Sequence, residues 1–433
     1  MIRYNDKFNY LKGDSIIKRG AEKIKYLSLG NHQTISLGGE IREQLQYFHN
    51  PNFGDLPKLS SNGDVGQLWH RAMTHLSYES GENFRIFAQL SSTFRFFNPN
   101  QAAPEIEENH LSLHQLFGQY YFNSKWMLRI GRQELSYGNH RLFTFREGPN
   151  TRLAFDAALI RHQSEKRTID FIALSPVVAQ KGIFDDEKFK DIIAGVYATE
   201  KLVPGQLSVD YYFLNFESGR RKYNYTIGHD SRRIFGSRLF SEAPFFNYEL
   251  EATYQTGKFN QQKINAYSLS ADFNFALSDK GRFIIGTAAN YVTGDRSKED
   301  AQLNTYNSLF SKPQYGLTAP IGATNIITVN PYLKAIPVKR AGLYAGAYFL
   351  WRQSSHDGCY TPTGIEQRPN PDRLDIVTEK KIGALLSLET NYALNKHLSF
   401  AIDASRFFAS AFINQTGNGK DINYLSFKAA YKF

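Results

Sequence analysis

The chain has 433 residues, with 51 Lys and Arg against 41 Asp and Glu and a single cysteine, Cys359. One cysteine excludes an internal disulfide, a formal charge of +10 points to acidic partners, and no run approaches the ~18 apolar residues of a spanning helix. Aromatics make up 15% of the chain, with 34 Phe and 26 Tyr, which exceeds the need of a soluble core and suits a surface edged by aromatic girdles; a mean hydropathy of -0.44 is compatible with such a surface, because inward polar residues dilute the average.

Residues 1–32 are polar and mixed in charge, and they read as an N-terminal extension with one short helix or strand. They lack the apolar core of a signal peptide, so a secreted chain is expected to be in its mature form here. From Thr34 a period of two takes over: Ile35, Leu37, Gly39, Ile41, Leu45 and Tyr47 alternate with Glu40, Arg42, Gln44 and Gln46. The same alternation returns in Phe84 to Arg95, in Phe246 to Gln255 and in Tyr267 to Phe275. Strands of ~10 residues at ~3.3 Å each, tilted by ~40°, match the ~25 Å apolar band of an outer membrane.

The connections have a rhythm. Long segments at 50–66, 98–109, 134–151, 177–188, 217–231, 294–325, 353–379 and 409–420 alternate with turns of a few residues, such as Ser80-Gly81-Glu82, Asn123-Ser124-Lys125 and Val203-Pro204-Gly205. Gly257–Lys263 is a modest connection on the long side. This asymmetry predicts an all-β, transmembrane antiparallel β-barrel of about 18 strands, with short periplasmic turns and long extracellular loops. Residues 1–32 are then a periplasmic extension and 33–433 the barrel. Parity alone does not say which face is wet, because a soluble sandwich and a pore alternate alike.

The stretch 126–161 holds two alternations joined by a loop rich in arginine and aromatics; in the second, Leu153, Phe155, Ala157 and Leu159 share the apolar face, expected to meet lipid, opposite Asp156 and His162. Arg129-Ile130-Gly131-Arg132-Gln133-Glu134-Leu135, Tyr137-Gly138, Arg141 and Pro149-Asn150-Thr151-Arg152 through Phe155-Asp156 resemble the alginate export family of bacterial outer-membrane barrels. The resemblance extends from Leu37-Gly38-Gly39-Glu40-Ile41-Arg42 to Arg406-Phe407-Phe408 and Tyr431-Lys432-Phe433, and departs at Gly148, where a tryptophan is expected. It implies an 18-stranded pore passing an anionic polysaccharide across the outer membrane of a Gram-negative bacterium.

In such a pore the polar phase places Arg42, Arg85, Arg95, Arg129, Arg340 and Arg352 in the lumen, and the loop adds Arg141, Arg146 and Arg152. Arginine suits uronate carboxylates because its planar fork donates two hydrogen bonds and stays charged. Glu249, Glu251, Asp272 and Asp403 are expected to hold arginines in place and keep binding weak. Arg406 falls on the lipid phase unless it sits at the rim, and Arg132 turns inward only if the strand kinks at Gly131. The cluster Arg220-Arg221-Lys222 with Arg232, Arg233 and Arg238 reads as external, for anions or lipopolysaccharide phosphates.

No G-x-S-x-G elbow, P-loop or zinc-protease spacing is present; His110 and His114 have no accompanying Glu at that spacing. The sequence therefore predicts a channel rather than an enzyme, with no metal or cofactor, and nucleic acid is excluded as partner by the scatter of the basic residues. Expected partners are an anionic polysaccharide, outer-membrane lipid and lipopolysaccharide, periplasmic export proteins, and the barrel-assembly machinery through the terminal Phe433. A porin for small carboxylates is the rival reading, and a plugged structural or enzymatic barrel a third.

Overall fold

In the computed structural model the alternation resolves into a wall with its apolar side outward. On Gln33–His49 (β1), Ile41, Leu45 and Tyr47 are 41%, 51% and 45% exposed, while Glu40, Arg42, Gln44 and Gln46 on the other face are at most 4% exposed. That arrangement is inverted relative to a soluble sheet, and it removes the ambiguity that parity left open. The structure describes residues 2–6, 8, 11, 22–55, 64–97, 107–184, 186, 191–223, 226–278, 281–297, 299–312, 315–316, 318, 321–362, 364–368 and 377–433.

After β1 come Asp64–Ser80 (β2), Phe84–Phe96 (β3), Asn109–Tyr121 (β4), Trp126–Gln133 (β5), Phe155–Gln163 (β6), Arg167–Pro176 (β7), Asp191–Val203 (β8) and Leu207–Tyr223 (β9). The second half comprises Thr226–Phe240 (β10), Phe246–Phe259 (β11), Gln262–Ala276 (β12), Phe283–Val292 (β13), Ile326–Ala335 (β14), Ala341–Trp351 (β15), Lys381–Ala393 (β16), Leu398–Ala409 (β17) and Ile422–Lys432 (β18). Among the described residues these 18 strands pair antiparallel with their neighbours in sequence, and β18 returns to β1 from Glu40↔Lys432 to His49↔Asn423. Closure leaves no open edge, as a bilayer requires of a sheet.

The seam is sealed by the last residue. Phe433 and Gly39 exchange backbone hydrogen bonds of 3.1 Å, and a Cβ placed on Gly39 would lie 2.4 Å from the Phe433 ring. Glycine is needed there for close approach. Short strands at Leu27–Gly30 and Gln302–Leu303 extend the sheet without entering the ring.

The connections follow the expected rhythm with two corrections, the smaller being Gly257–Lys263, where pairing runs on to Phe259↔Gln262 and leaves a two-residue turn. Segment 217–231 is no loop: β9 and β10 continue as a projecting ladder to Tyr223↔Thr226, with an irregularity between Ser218 and Arg221. The inward positions Ser218, Tyr223, Asp230 and Arg232 are buried there, so pairing is worth continuing beyond the neighbouring strands.

A further correction concerns phase. Phe155, Ala157 and Leu159 on β6 face inward, not outward, together with Ile172, Leu174, Ile193, Leu214, Phe216 and Ile234. They pack on Leu135, Tyr137, Leu142 and Phe143 of the segment after β5, and on Leu309 of the segment after β13. The two segments are zipped inside the barrel: Thr144 N donates to Phe310 O at 3.2 Å, Phe310 N to Leu142 O at 2.9 Å and Lys312 N to His140 O at 2.8 Å. A loop folded into a lumen needs an apolar bed, and these strands supply it.

At the short-turn end, described residues of the expected extension lie against the inner wall. Arg3 pairs with Glu40, and the Tyr4 ring sits 6.1 Å from Phe87, 5.3 Å from Phe117 and 4.3 Å from the Arg129 guanidinium.

Candidate lumen passage

The inward loop is pinned by three arginines around three glutamates. Arg42 Nη1 donates to Glu147 O at 3.1 Å, and its Nη2 to Pro149 O at 3.3 Å and Asn150 Oδ1 at 3.2 Å. Arg71 bonds Glu40 at 2.9 Å and also the Glu147 carboxylate, while Arg152 reaches Glu134 at 2.9 Å and Glu147 at 3.1 Å. His114 joins through Glu134 at 2.8 Å. Asn150 Nδ2 lies within 3.2 Å of the backbone oxygens of His70, Phe94 and Glu107, which ties the loop to the wall. Desolvation opposes ionisation of Glu147, but Arg71, Arg152 and Arg42 outweigh it and hold its carboxyl well below the usual range.

Thus Arg42 and Arg152 lie inside the barrel, with their guanidiniums engaged by the loop itself. Arg71 belongs to the same clamp and was missed; it shares the inward face with the buried Gln67 and His75 and alternates with Leu68, Ala72 and Leu76, so parity could have found it. Arg95 pairs with Glu107 at 3.2 Å, and Arg146 donates to Ser311 O at 3.0 Å, joining the two inward segments. Burial pushes the Arg146 guanidinium down to about 10, with the charge of Arg221 adding to the effect. Arg85 donates to Ser77 Oγ and Tyr4 O, both at 2.7 Å, and Arg129 grips Gln119 Oε1 at 2.8 and 2.6 Å. Both line a cavity of about 1450 Å³ at the short-turn end.

Two expected lumen arginines lie elsewhere. Arg340 is an exposed turn residue with φ of 71°, donating to Leu394 O at 3.0 Å, because the turn after β14 carries it out of the strand phase. Arg352 is fully buried past the end of β15, where it gathers the backbone oxygens of Ser355, Asp357, Val377 and Glu379 and stacks 3.8 Å from the Phe412 ring. It organises the long loop. Of the acidic residues, Glu249 holds Arg238 at 3.0 Å and Glu251 holds Arg141 at 3.4 Å, but Asp272 accepts from Tyr332 Oη at 2.6 Å and Asp403 faces Lys428 at 3.7 Å.

The basic cluster read as external is largely absorbed in the fold. Arg232 is buried on Asp230 at 2.8 Å, Arg221 pairs with Asp191 at 2.7 Å, Lys222 with Glu366 at 3.4 Å and Arg238 with Asp210 at 2.6 Å, which leaves Arg220 and Arg233 exposed. Arg132 follows Gly131, whose φ is 128°, and pairs with Asp156 at 2.8 Å; Arg406 pairs with Asp421 at 3.1 Å at the long-loop end.

A second cavity, of about 770 Å³, lies between the tips of the inward segments and strands β12 to β18. Asn139, Arg141, Lys312 and Tyr315 face it from the loops, and Asp272, Asn330, Tyr332, Lys334, Tyr344, Tyr348, Glu389, Asp403 and Lys428 from the wall. Arg141 is fixed there by Asn290 at 2.6 Å. Lysine and tyrosine dominate this surface, and of its cations only arginine was singled out in sequence. Lys428 could have been read from its alternation with Leu425 and Phe427.

A family model described as alginate export matches residues 33–426. No curated protein matches the chain. Among solved structures, Acinetobacter baumannii OccAB1 is similar with a TM-score of 0.63 at 11% identity, covering 92% of this chain and 96% of that one. Acinetobacter baumannii OccAB4 gives 0.62 at 12% identity over 93% and 99%, and Pseudomonas aeruginosa OccK3 (OpdO) gives 0.60 at 11% over 92% and 95%. At such identities the likeness is one of fold.

Proposed function

This chain belongs to the alginate export family, and from that premise we propose that its barrel passes negatively charged saccharides, an alginate-like polyuronate foremost, by passive diffusion under electrostatic selection. The barrel is an outer-membrane channel of a Gram-negative bacterium. The observation that carries the substrate reading is that Arg141, Lys312, Lys334 and Lys428 share one open cavity, while the acidic Asp272 and Asp403 beside them are engaged by Tyr332 and Lys428. A carboxylate at ~4 Å from one such cation gains about 4 kcal/mol of Coulomb energy at an effective dielectric of 20, before desolvation. Glu389 and Asp403 on the same wall temper that attraction, so a strand is handed on rather than trapped.

The buried arginines have a different part in this reading. They hold the loop that sets the width, and the cations at its tip and across from it meet the solute. Periplasmic residues 1–32, lipopolysaccharide at the rim beside Arg220 and Arg233, and the assembly machinery at Phe433 complete the proposed surroundings.

Planar-bilayer recording tests the proposal: anion selectivity and block by polyuronate are expected, and cation selectivity or indifference to polyuronate sinks it. A porin for small carboxylates is the second reading, favoured by inward segments that fill part of the lumen and narrow the space at their tips to a cavity of about 770 Å³. Liposome flux separates the two, because small uronates would then cross and alginate would not.

A further inference from the structure

The open cavity has an aromatic wall for which charge selection has no use. Tyr332 on β14 and Tyr344 on β15 have ring centroids 5.8 Å apart at 30°, and Tyr344 Oη lies 2.8 Å from Tyr348 Oη. The rings lie along the wall because the wall beneath them is glycine. A Cβ on Gly286 would sit 2.4 Å from Tyr332 Cζ, and one on Gly346 would sit 2.5 Å from Tyr344 Oη. A ring laid flat over glycine turns a π-face, rather than an edge, toward the lumen.

The tiles are held in place before any solute arrives. Tyr332 Oη donates to Asp272 at 2.6 Å and Tyr344 Oη to Asn330 Oδ1 at 3.1 Å, so little side-chain entropy remains to be lost on binding. Lys334 Nζ lies over the nearly buried Tyr332 ring, 4.7 Å from its centroid, which sets a cation on the aromatic surface beside the half-buried Tyr344 and Tyr348. Flat π-faces, amide and carboxylate acceptors and one ammonium match a pyranose acid: C–H bonds for the ring faces, hydroxyls for the acceptors, a carboxylate for the lysine.

We propose that Tyr332, Tyr344 and Tyr348 form a pyranose subsite that distinguishes cyclic sugar acids from open-chain carboxylates of the same charge. This rests on the anionic-saccharide reading and adds ring shape to charge as a criterion. A solute with the right charge but no flat C–H face would meet Lys334 and leave the tyrosines uncovered.

The test compares glucuronate with gluconate, its open-chain counterpart, as blockers of the full-length barrel in planar bilayers. The wild type is expected to hold glucuronate about fivefold more tightly. Tyr344→Leu with Tyr348→Leu should erase the preference without altering anion selectivity, and Tyr344→Phe, which keeps the ring, should retain it. Equal block by the two acids in the wild type, or a preference that survives the leucine pair, overturns the subsite and leaves the anion channel standing. Cation selectivity, or no block by either acid, overturns both. Should the leucine pair fail to insert, the wild-type comparison alone decides.

Discussion

Strands β6 to β10 carry Leu159, Ile172, Ile193, Leu214 and Ile234 at inward positions, each at most 4% exposed, whereas β14 to β18 carry Asn330, Tyr344, Glu389, Asp403 and Lys428 around open space. Both sectors belong to one ring and obey one period of two. They differ in what stands opposite: the first faces Phe143 and Leu309 of the inward segments, the second faces the cavity. A polar face therefore marks water in one half of this lumen, and an apolar face marks a packed loop in the other.

The strongest way to break this division is to release the loop from the wall. Arg71→Met removes a fully buried guanidinium shared by Glu40 and Glu147 and should cost about 3–5 kcal/mol in urea unfolding, because the buried Glu40 carboxylate loses a partner. Single-channel conductance should rise in the same variant as the loop leaves the lumen; unchanged stability and conductance would remove the clamp from the account. Next comes the apolar bed. Phe143→Ala empties a site with no exposure and should cost about 3 kcal/mol by the same assay.

The open sector should respond in the opposite sense. Lys312 and Lys334 are exposed to the cavity, so Lys312→Gln with Lys334→Gln should leave stability within about 0.5 kcal/mol while lowering the anion-to-cation permeability ratio severalfold. A large loss of stability there, with selectivity intact, would show that the two sectors are not distinct.

The smallest expected effect is a pH response in the segment that links the sectors. Asp295 is 2% exposed; burial, aided by the nearby Asp357 and opposed by the Asn304 backbone N–H, pushes its carboxyl up to about 7. Its folded pKa exceeds the unfolded ~3.9, so its contribution is fully present below the unfolded value and is lost as pH rises from there through about 7. Between those two values the loss is about 1.4 kcal/mol per pH unit, and above about 7 it is complete. With the intrinsic pH dependence of exchange divided out, amide protection in 293–312 should fall from about pH 5 to 7, and Asp295→Asn should flatten that fall.

Strand number, the unequal connections and the identity of the outer face on β1 were legible in sequence, because each depends on local alternation and turn chemistry. Arg42, Arg129 and Arg141 were likewise placed by parity or by loop position. Parity failed at β6, where Phe155 and Leu159 were expected outward, since period two fixes opposite faces but not the medium each one meets. It failed at Arg340, which has left the strand, and at Asp272, whose partner proved to be Tyr332 rather than an arginine.

The sequence by itself thus determined a closed, aromatic-rich barrel, since backbone pairing and a bilayer admit few other uses of these alternations. Only the tertiary structure decided that the arginines chiefly hold a loop while lysines and tyrosines face the opening. The physical reason is that the contact between the wall and a loop folded back into it joins residues such as Arg42 and Glu147, far apart in the chain, and no local pattern encodes that meeting.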